Sequence, residues 1–315
     1  MLVAIAGGTG FVGRHLVLEN LEAGNSVRVL TRRSSSAVEL PDGVKLYRGD
    51  LTQDIEILPS FVDGADVVFH CAGEIINKDD MYGINVQGTR NLLDAASNSI
   101  GHWVQLSSVG VYGRYRDAVI TEQTPERPVG IYEETKAEAD RLVQATSAKG
   151  LISCTILRPS IVFGPEMPNR SLVKLATMVK RGLFFFIGPP GASANYIHVK
   201  NVVEALLQCA CIPHNSGRIY NLSDWCTLEE FVEMIARCVG RTMPKLRLPE
   251  RPVRWIVRRL ETVPGMPLTD ARIDALVNRC RYSSTRIEEE LHYVHKVSMG
   301  EGLRESIASW QLCRL

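Results

Sequence analysis

The chain has 315 residues, a length that favours two domains with a sizeable hydrophobic core. Hydrophobic residues make up 45% of it and charged residues 23%, which excludes a disordered, collagen-like or coiled-coil protein. Lys and Arg number 36 and Asp and Glu 35, so the net charge of +1 gives no reason to expect nucleic acid as a partner.

The N-terminal sequence and the cysteines indicate a cytoplasmic protein. No apolar run reaches the ~18 residues of a membrane-spanning helix, and MLVAIAGGTG lacks the basic region and the cleavage site of a signal peptide. The eight cysteines are scattered and form no C-x-x-C pair, as is typical of reduced thiols. We therefore expect a cytoplasmic enzyme, and we expect it to bind no metal ion.

The first half of the sequence alternates short β-branched runs with helical stretches, which is the pattern of a doubly wound parallel sheet. Such sheets bind ligands at the carboxyl ends of their strands. The predicted helices are 14–23, 81–97 and 131–148. The predicted strands are 2–6, 27–31, 44–49, 66–72, 102–108 and 153–159.

After about residue 160 the pattern changes, because prolines and Gly191 punctuate 164–195 and predict mainly loops there. A strand and a helix are predicted within 194–210, a strand at 218–223, and mostly helix over 226–315 with Pro-rich interruptions at 244–252 and 264–267. The sequence thus predicts an α/β Rossmann-type domain and a smaller, mostly helical substrate-binding domain. The first comprises 1–163, with 196–223 returning to it, and the second comprises 164–195 and 224–315.

A glycine-rich turn, GGTGFVG at 7–13, separates the first predicted strand from the first helix. Gly7, Gly10 and Gly13 let the backbone turn sharply and approach a pyrophosphate, whose charge then lies at the helix N-terminus. The alternative is a tight turn that binds nothing. The position between a strand and a helix favours a dinucleotide site.

The second strand ends in VLTRRSSS, so Arg32 and Arg33 stand where an acidic residue would bind the adenosine ribose of NAD. Arginine accommodates the additional phosphate of NADP, which makes NADP the favoured cofactor and NAD the alternative. Alternatively, Arg32 and Arg33 belong to a solvated basic loop that binds no ligand.

Tyr132 and Lys136 form a Y-x-x-x-K pattern at the start of a predicted helix, which places both side chains on one face. The free phenol has a pKa near 10, and an adjacent ammonium together with a positive nicotinamide would lower that pKa enough for general-base catalysis. A second Y-x-x-x-K begins at Tyr196 in the loop-rich region, whereas Tyr132 follows a strand that ends at Ser108. We therefore predict Tyr132 as the catalytic tyrosine.

Together these segments resemble the extended short-chain dehydrogenase/reductase family, the NAD(P)-dependent epimerase/dehydratase group. The resemblance runs almost from end to end. It is carried by GGTGFVG (7–13), GDL (49–51), FHCAG (69–73), NVQGTRNLLDAA (85–96), SSVGVYG (107–113), YEETKAEAD (132–140), LRPSIVFGP (157–165), YIHVKNVVEA (196–205) and EGLRESIASW (301–310).

The resemblance implies a small-molecule substrate and a homodimer formed by the crossed helices 81–97 and 131–148. It implies that Tyr132 is the base, that Lys136 holds the nicotinamide ribose and that Ser108 binds the substrate oxygen, with Asn85 completing the catalytic set. With the two arginines already named, the expected cofactor contacts are Gly7, Gly10, Phe11, Val12, Gly13, Arg32, Arg33, Asp50, Leu51, Cys71, Ala72, Gly73, Tyr132, Lys136, Pro159 and Val162.

Two departures from the family pattern bear on the substrate. Val109 and Gly110 follow Ser108 where dehydratases carry an acidic pair, so dehydration is not expected. Ile161 stands where many nucleotide-sugar enzymes carry Asn. With it, the segment RPSIVFG resembles the hydroxysteroid dehydrogenase, flavonol reductase and quinone-oxidoreductase-subunit branches. Our first hypothesis is an NADP-preferring nucleotide-sugar epimerase or ketoreductase. The alternatives are a reductase or dehydrogenase of an apolar alcohol or ketone, which the aromatic run 184–186 also favours, and a non-catalytic nucleotide-binding subunit.

The basic stretch 247–259 is compatible with three interpretations: a diphosphate clamp, a membrane-surface helix or a solvated amphipathic helix. The third is favoured, so membrane association is not expected.

Overall fold

In the computed structural model the described residues are 1–32, 40–168, 170–211, 217–260 and 268–312. The strands are β1 (Leu2–Ala6), β2 (Ser26–Thr31), β3 (Val44–Arg48), β4 (Val67–His70), β5 (His102–Leu106), β6 (Val119–Ile120), β7 (Cys154–Pro159), β8 (Ile161–Phe163), β9 (Phe186–Ile187), β10 (Ser193–His198), β11 (Arg218–Leu222), β12 (Asp224–Thr227), β13 (Arg247–Leu248) and β14 (Arg281–Tyr282).

The helices are α1 (Phe11–Glu22), α2 (Leu58–Val62), α3 (Lys78–Tyr82), α4 (Gly88–Ala96), α5 (Ile131–Ala148), α6 (Ser171–Lys180), α7 (Val199–Ala210), α8 (Leu228–Cys238), α9 (Glu250–Leu260), α10 (Asp270–Val277), α11 (Thr285–Leu291) and α12 (Met299–Leu312). Within the described ranges, none of these helices has the length and apolar character needed to cross a bilayer. There are also 3-10 turns at Ile55–Ile57 and Val109–Tyr112 and a π-helical turn at Gly83–Gln87.

Seven strands form a parallel sheet in the order β11-β7-β5-β4-β1-β2-β3. The chain runs outward from β1 to β3, returns beside β1 as β4, and then runs outward in the other direction to β11. The strand order therefore reverses between β1 and β4, which is where such sheets open a ligand crevice at their carboxyl edge. The predicted doubly wound Rossmann-type sheet is confirmed.

Alternating side chains bury both faces of this sheet. Along β1, Val3 and Ile5 pack in a core shared with α1 and α7, whereas Ala4 and Ala6 pack in a core shared with α2 and α4. A strand covered on both faces reads as a continuous apolar run, which explains why LVAIA is recognisable in the sequence.

A second group of elements packs around its own apolar core, built from α6, α8 and α12. It includes a three-stranded sheet in the order β12-β10-β8, and two-strand pairs join β13 to β9 and β14 to β6. The strand predicted at 218–223 is β11, an edge strand of the large sheet, while β10 belongs to the small sheet. The exact division into two domains stays a prediction.

The segment 164–195, predicted to consist mainly of loops, contains the helix α6. The prediction was wrong there because the prolines lie outside the helix, and SLVKLATMVK has apolar residues at helical spacing that are buried. Likewise α9 begins at Glu250, inside the predicted interruption 244–252, because Pro252 lies in its first turn, where a missing N–H is tolerated. The predicted interruption 264–267 lies outside the described residues.

Candidate functional site

The glycine-rich turn lies between β1 and α1 at the carboxyl edge of the sheet. Gly7 has a φ of +83°, and a Cβ there would lie 2.5 Å from the backbone nitrogen of Ala72, so the position requires glycine. Gly10 is the N-cap of α1, and a Cβ on it would meet only the Gly7 carbonyl oxygen among described atoms, at 3.2 Å. The first turn of α1, residues 11–13, thus faces open space that suits a pyrophosphate.

A cleft of about 260 Å³ opens beside this turn. It brings together contacts predicted from four separate parts of the sequence, between the strand ends of β1 and β2 and the loops that follow β3 and β4. The lining residues are Gly7, Thr9, Gly10, Leu30, Thr31, Arg32, Gly49, Asp50, Leu51, Cys71, Ala72, Gly73, Glu74 and Ile84. Backbone groups, one guanidinium and two carboxylates in one cleft are the groups with which proteins bind a dinucleotide.

Charged side chains border the cleft where β2, β3 and β4 end. The Arg32 guanidinium lies 3.8 Å from the carboxylate of Asp50, and its side chain is 65% exposed. Asp50 accepts a hydrogen bond from the Thr52 amide at 2.7 Å. The amide of Ile76 and its neighbours, together with Arg32, lower the pKa of Glu74, so this carboxylate is anionic. Arg33 lies outside the described residues.

Ser108, Tyr132 and Lys136 meet where β5 ends and α5 begins. Tyr132, in the first turn of α5, is hydrogen-bonded to the Ser108 side chain, whose Oγ also accepts from the Gly110 amide at 3.0 Å. Lys136, one turn later, donates from Nζ to the Leu106 carbonyl at 2.6 Å. The structure therefore places a phenol, a hydroxyl and an ammonium at the sheet edge that carries the cleft.

The second Y-x-x-x-K pair is divided between two environments. Tyr196 stacks on Phe231, with ring centroids 4.5 Å apart, and burial raises its pKa to about 12. Lys200 donates to Glu305 at 3.2 Å. Tyr196 lies on β10 and Lys200 on α7, so the two side chains do not share one helix face, and among the described residues no serine is recorded as a hydrogen-bond partner of Tyr196.

The chain's own groups raise the pKa of Tyr132. Burial is the largest cause, the charges of Glu133 and Asp140 act in the same direction, and the Ser108 hydrogen bond acts against them. Burial also lowers the pKa of Lys136, which Asp140 raises. From the sequence we expect Lys136 and a positive nicotinamide to lower the tyrosine pKa. The groups that shift the pKa of Tyr132 in the structure are those just named, and the Lys136 ammonium is directed at the Leu106 carbonyl.

Asn85 is buried in the π-helical turn, and its side-chain amide is fully used inside the protein. Nδ2 donates to the Glu74 carbonyl and to Thr135 Oγ1, both at 3.1 Å, while Oδ1 accepts from the Glu74 amide at 2.7 Å. Asn85 therefore links the loop after β4 to α5. π-Helical turns are frequent at functional sites, because they re-aim a side chain within a helix.

Two further predicted contacts lie on β7 and β8, the strands that follow α5. Pro159 ends β7 and is buried beside Leu222 of β11, and Val162 in β8 pairs with Ile197. Val162 packs against the same core as Cys71, a residue that lines the cleft.

The comparison with known proteins decides the family. Residues 3–223, more than half of the chain, match the model of the NAD dependent epimerase/dehydratase family. The chain belongs to this family. It is an NAD(P)-dependent oxidoreductase or epimerase of the extended short-chain dehydrogenase type.

Similar family members include a 3 beta-hydroxysteroid dehydrogenase/Delta 5→4-isomerase of Mycobacterium tuberculosis, 27% identical over 97% of this chain and 89% of that protein. A sterol-4-alpha-carboxylate 3-dehydrogenase of Saccharomyces cerevisiae is 28% identical over 97% of both. Among solved structures, a UDP-glucose 4-epimerase of Thermotoga maritima, with UDP-glucose, has a TM-score of 0.77 at 20% identity over 99% of both chains. A UDP-glucuronic acid 4-epimerase of Bacillus cereus, with NAD, has a TM-score of 0.75 at 17% identity and full coverage.

The family motifs alone did not single out two charged residues, Asp140 on α5 and Arg158 on β7. Both are almost completely buried, and they form an ion pair at 2.9 Å. The available signals were an acid one helical turn after Lys136 and an arginine inside a strand that is otherwise apolar. Their partners could not be paired before the positions of β7 and α5 were known.

The basic stretch 247–259 is largely committed to ion pairs within the protein. Arg247 contacts Glu229 at 2.5 Å, Arg254 contacts Asp274 at 2.7 Å, and Arg258 forms a further pair. This arrangement favours the amphipathic-helix interpretation, in which the guanidiniums of Arg254 and Arg258 hold α9 against α10.

Proposed function

We propose that this chain moves a hydride between a nicotinamide and a carbon that alternates between alcohol and ketone, with Tyr132 as the proton carrier. The observation that carries this proposal is the hydrogen-bonded pair Tyr132–Ser108, with Lys136 anchored to Leu106 one helical turn away. The pair stands at the carboxyl edge of the sheet, where the glycine-rich turn and the cleft also lie. Proton carrier, hydroxyl donor and dinucleotide cleft are the parts that this chemistry needs.

The residues fit a dinucleotide along the whole cleft. The open N-terminus of α1 and the missing Cβ of Gly10 suit the pyrophosphate, and Asp50 with Leu51 would hold the adenine. Ala72 and Gly73 would line the path toward the nicotinamide, whose ribose Lys136 would hold. When bound, the nicotinamide supplies the carbon that accepts or returns the hydride.

In this proposal Tyr132 removes the hydroxyl proton during oxidation and returns it during reduction. Ser108 donates a hydrogen bond to the substrate oxygen, which stabilises the charge that develops there. Lys136 remains an ammonium throughout and orients the ribose. Val109 and Gly110 offer no acid–base pair for elimination of water, so the reaction stops at the interconversion of alcohol and ketone.

NADP is the cofactor that we propose, with NAD as the alternative. Arg32 borders the cleft at the end of β2, the place that discriminates the two ribose forms. Its guanidinium is mostly exposed and reaches Asp50 only at 3.8 Å, so it is available for a phosphate.

We propose a nucleotide-sugar as the substrate, converted by an epimerase or a ketoreductase. Support comes from solved structures that contain a UDP-sugar and that match this fold over 99% of both chains. An apolar alcohol or ketone is the second candidate, because Ile161 is 48% exposed at the start of β8 and because sterol dehydrogenases are among the sequence relatives.

Thermal denaturation in the presence of NADPH and a panel of candidate substrates separates these two classes. We expect UDP-sugars to raise the melting temperature of the NADPH complex and sterols or flavonoids to leave it unchanged. The reverse pattern would assign the apolar substrate. The nucleotide released on denaturation then separates epimerase from reductase, since an epimerase must retain its cofactor and a reductase exchanges it in every turnover.

A further inference from the structure

Asp140 is a fully buried carboxylate directly beneath the proposed catalytic lysine. It lies on α5 one helical turn after Lys136, with no exposed surface. Its Oδ2 accepts a hydrogen bond from Ser107 Oγ at 2.7 Å and another from Arg158 Nε at 3.0 Å. A carboxylate so deep in a protein needs compensating donors, and here they come from the ends of two adjacent sheet strands.

Arg158 extends this arrangement away from the helix. It is 1% exposed, donates from Nη1 to the Tyr112 hydroxyl at 3.1 Å, and pairs through Nη2 with Glu126 at 2.5 Å. Tyr112 in turn donates to Asn221 at 2.9 Å. The Glu126 side chain is 25% exposed, so Asp140 is the more deeply buried of the two counter-charges of Arg158.

Through Ser107, the Asp140 carboxylate is connected both to the residue that binds Lys136 and to the residue that binds Tyr132. Ser107 lies between Leu106, whose carbonyl receives the Lys136 ammonium, and Ser108, which bonds to Tyr132. Holding the Ser107 side chain therefore fixes the backbone on which the ammonium and the serine hydroxyl depend.

The charges around Lys136 are few and can be named. Burial lowers the pKa of the ammonium, whereas Asp140 and, to a smaller extent, Cys71 raise it. Lys136 lowers the pKa of buried His70 in turn. Burial raises the pKa of Asp140 itself, while Arg158, Lys136 and the Ser107 hydrogen bond act in the opposite direction and favour the carboxylate. Asp140 in turn raises the pKa of Tyr132 and that of Cys154. Asp140 is thus the carboxylate that opposes the loss of the Lys136 proton.

We propose that Asp140 is a positioning residue of the hydride-transfer site, one that anchors the carboxyl end of β5 and keeps Lys136 protonated during turnover. The proposal rests on the proposed function, in which Lys136 acts as an ammonium. Asp140 touches neither the cleft nor the Tyr132 hydroxyl, so it acts through its neighbours.

The test is the pH dependence of NADPH affinity, measured by fluorescence titration, in the wild type and in Asp140→Asn. We expect the alkaline loss of affinity to move to lower pH by about one unit, since an opposing charge at this range shifts a pKa by that order. Lys136→Met serves as the reference, because it removes the ammonium whose loss of a proton would cause the alkaline decrease in affinity. Glu134→Gln removes an exposed carboxylate from the same helix and should leave the profile unchanged.

A lower melting temperature with an unmoved pH profile would overturn the proposal, because it would leave Asp140 a purely structural role. If Asp140→Asn does not fold, Ser107→Ala tests the anchor, since it removes one hydrogen bond and leaves both buried charges in place. We then expect weaker NADPH binding, and wild-type affinity would overturn the proposal. A wild type that binds no dinucleotide contradicts the proposed function itself, so the two failures are distinguishable.

Discussion

Tyr132 is half-buried beside Ser108, and its pKa is raised, which bears on the pH dependence of each half-reaction. Reduction of a ketone uses the protonated phenol, and oxidation of an alcohol uses the phenolate. Because burial raises the tyrosine pKa, the phenol form persists at neutral pH.

We therefore predict that the reduction rate is constant through neutral pH and falls in alkaline solution, while the oxidation rate rises with pH. Initial rates in both directions over a pH series measure this. An oxidation rate that decreases as the pH rises would contradict the assignment of Tyr132 as the base.

Arg32 offers a second prediction at the scale of one residue. Arg32→Ser should weaken NADPH binding by about tenfold or more while leaving NADH binding nearly unchanged, because a charged hydrogen bond to phosphate contributes about 1.5–3 kcal/mol. Fluorescence titration with both cofactors measures the ratio. Arg48→Ser removes an exposed arginine from the end of the neighbouring strand and is the control. Equal losses of affinity for NADPH and NADH would mean that Arg32 does not bind the ribose phosphate.

Sequence patterns were informative for residues whose chemistry is local. Gly7, Gly10 and Tyr132 are marked by spacing and by the element that precedes them. Asp140 and Arg158 were not found, because their partnership joins a helix to a strand and depends on the order of strands in the sheet. A local pattern shows which face a residue occupies and does not show what packs against that face.

At the scale of elements, the strand β5 carries a histidine whose burial links stability to pH. His102 is 2% exposed, with its ring nitrogens bonded to Ser153 at 2.9 Å and Thr155 at 3.0 Å. Burial lowers its pKa from 6.5 to about 4. The unfolded chain therefore binds a proton at this histidine more readily than the folded one. The contribution of His102 to the free energy of unfolding is fully present above pH 6.5 and decreases as the pH falls toward 4.

From this we predict that the histidine's contribution decreases by about 2 kcal/mol on going from about pH 7 to about pH 5. Urea denaturation of the wild type and of His102→Gln at both pH values measures it. The variant should lose less stability than the wild type over the same interval. Identical losses would assign the acid sensitivity to other buried groups, such as His70 and His198.

The elements of the first half could be read from the sequence because parallel strands are apolar runs of the right length separated by amphipathic helices. Those of the second half could not. The strands β9, β13 and β14 have two residues each, which is too short to leave a periodic pattern. The helix α6 was hidden by the prolines on either side of it.

For the whole molecule, the sheet order and the cleft follow from the doubly wound topology, while the assembly stays a prediction. The family resemblance implies a homodimer through 81–97 and 131–148, and exposed residues of the first segment include Arg90 and Asp94. We expect a dimer by sedimentation velocity and a shift toward monomer for Arg90→Glu. Lys245→Glu, which changes an exposed charge outside these helices, should remain dimeric. A wild type that sediments as a monomer would contradict this arrangement.

The central claim is that Tyr132 moves the proton while hydride passes between a nicotinamide and the substrate carbon. Deuterium transfer from NADPH labelled at the reactive carbon, measured by mass spectrometry of the products from a panel of keto-sugar nucleotides and apolar ketones, tests it most directly. We predict that the label reaches product with the wild type and with Tyr196→Phe, and that Tyr132→Phe transfers at least about a hundredfold more slowly. Equal transfer by Tyr132→Phe and the wild type would contradict the account.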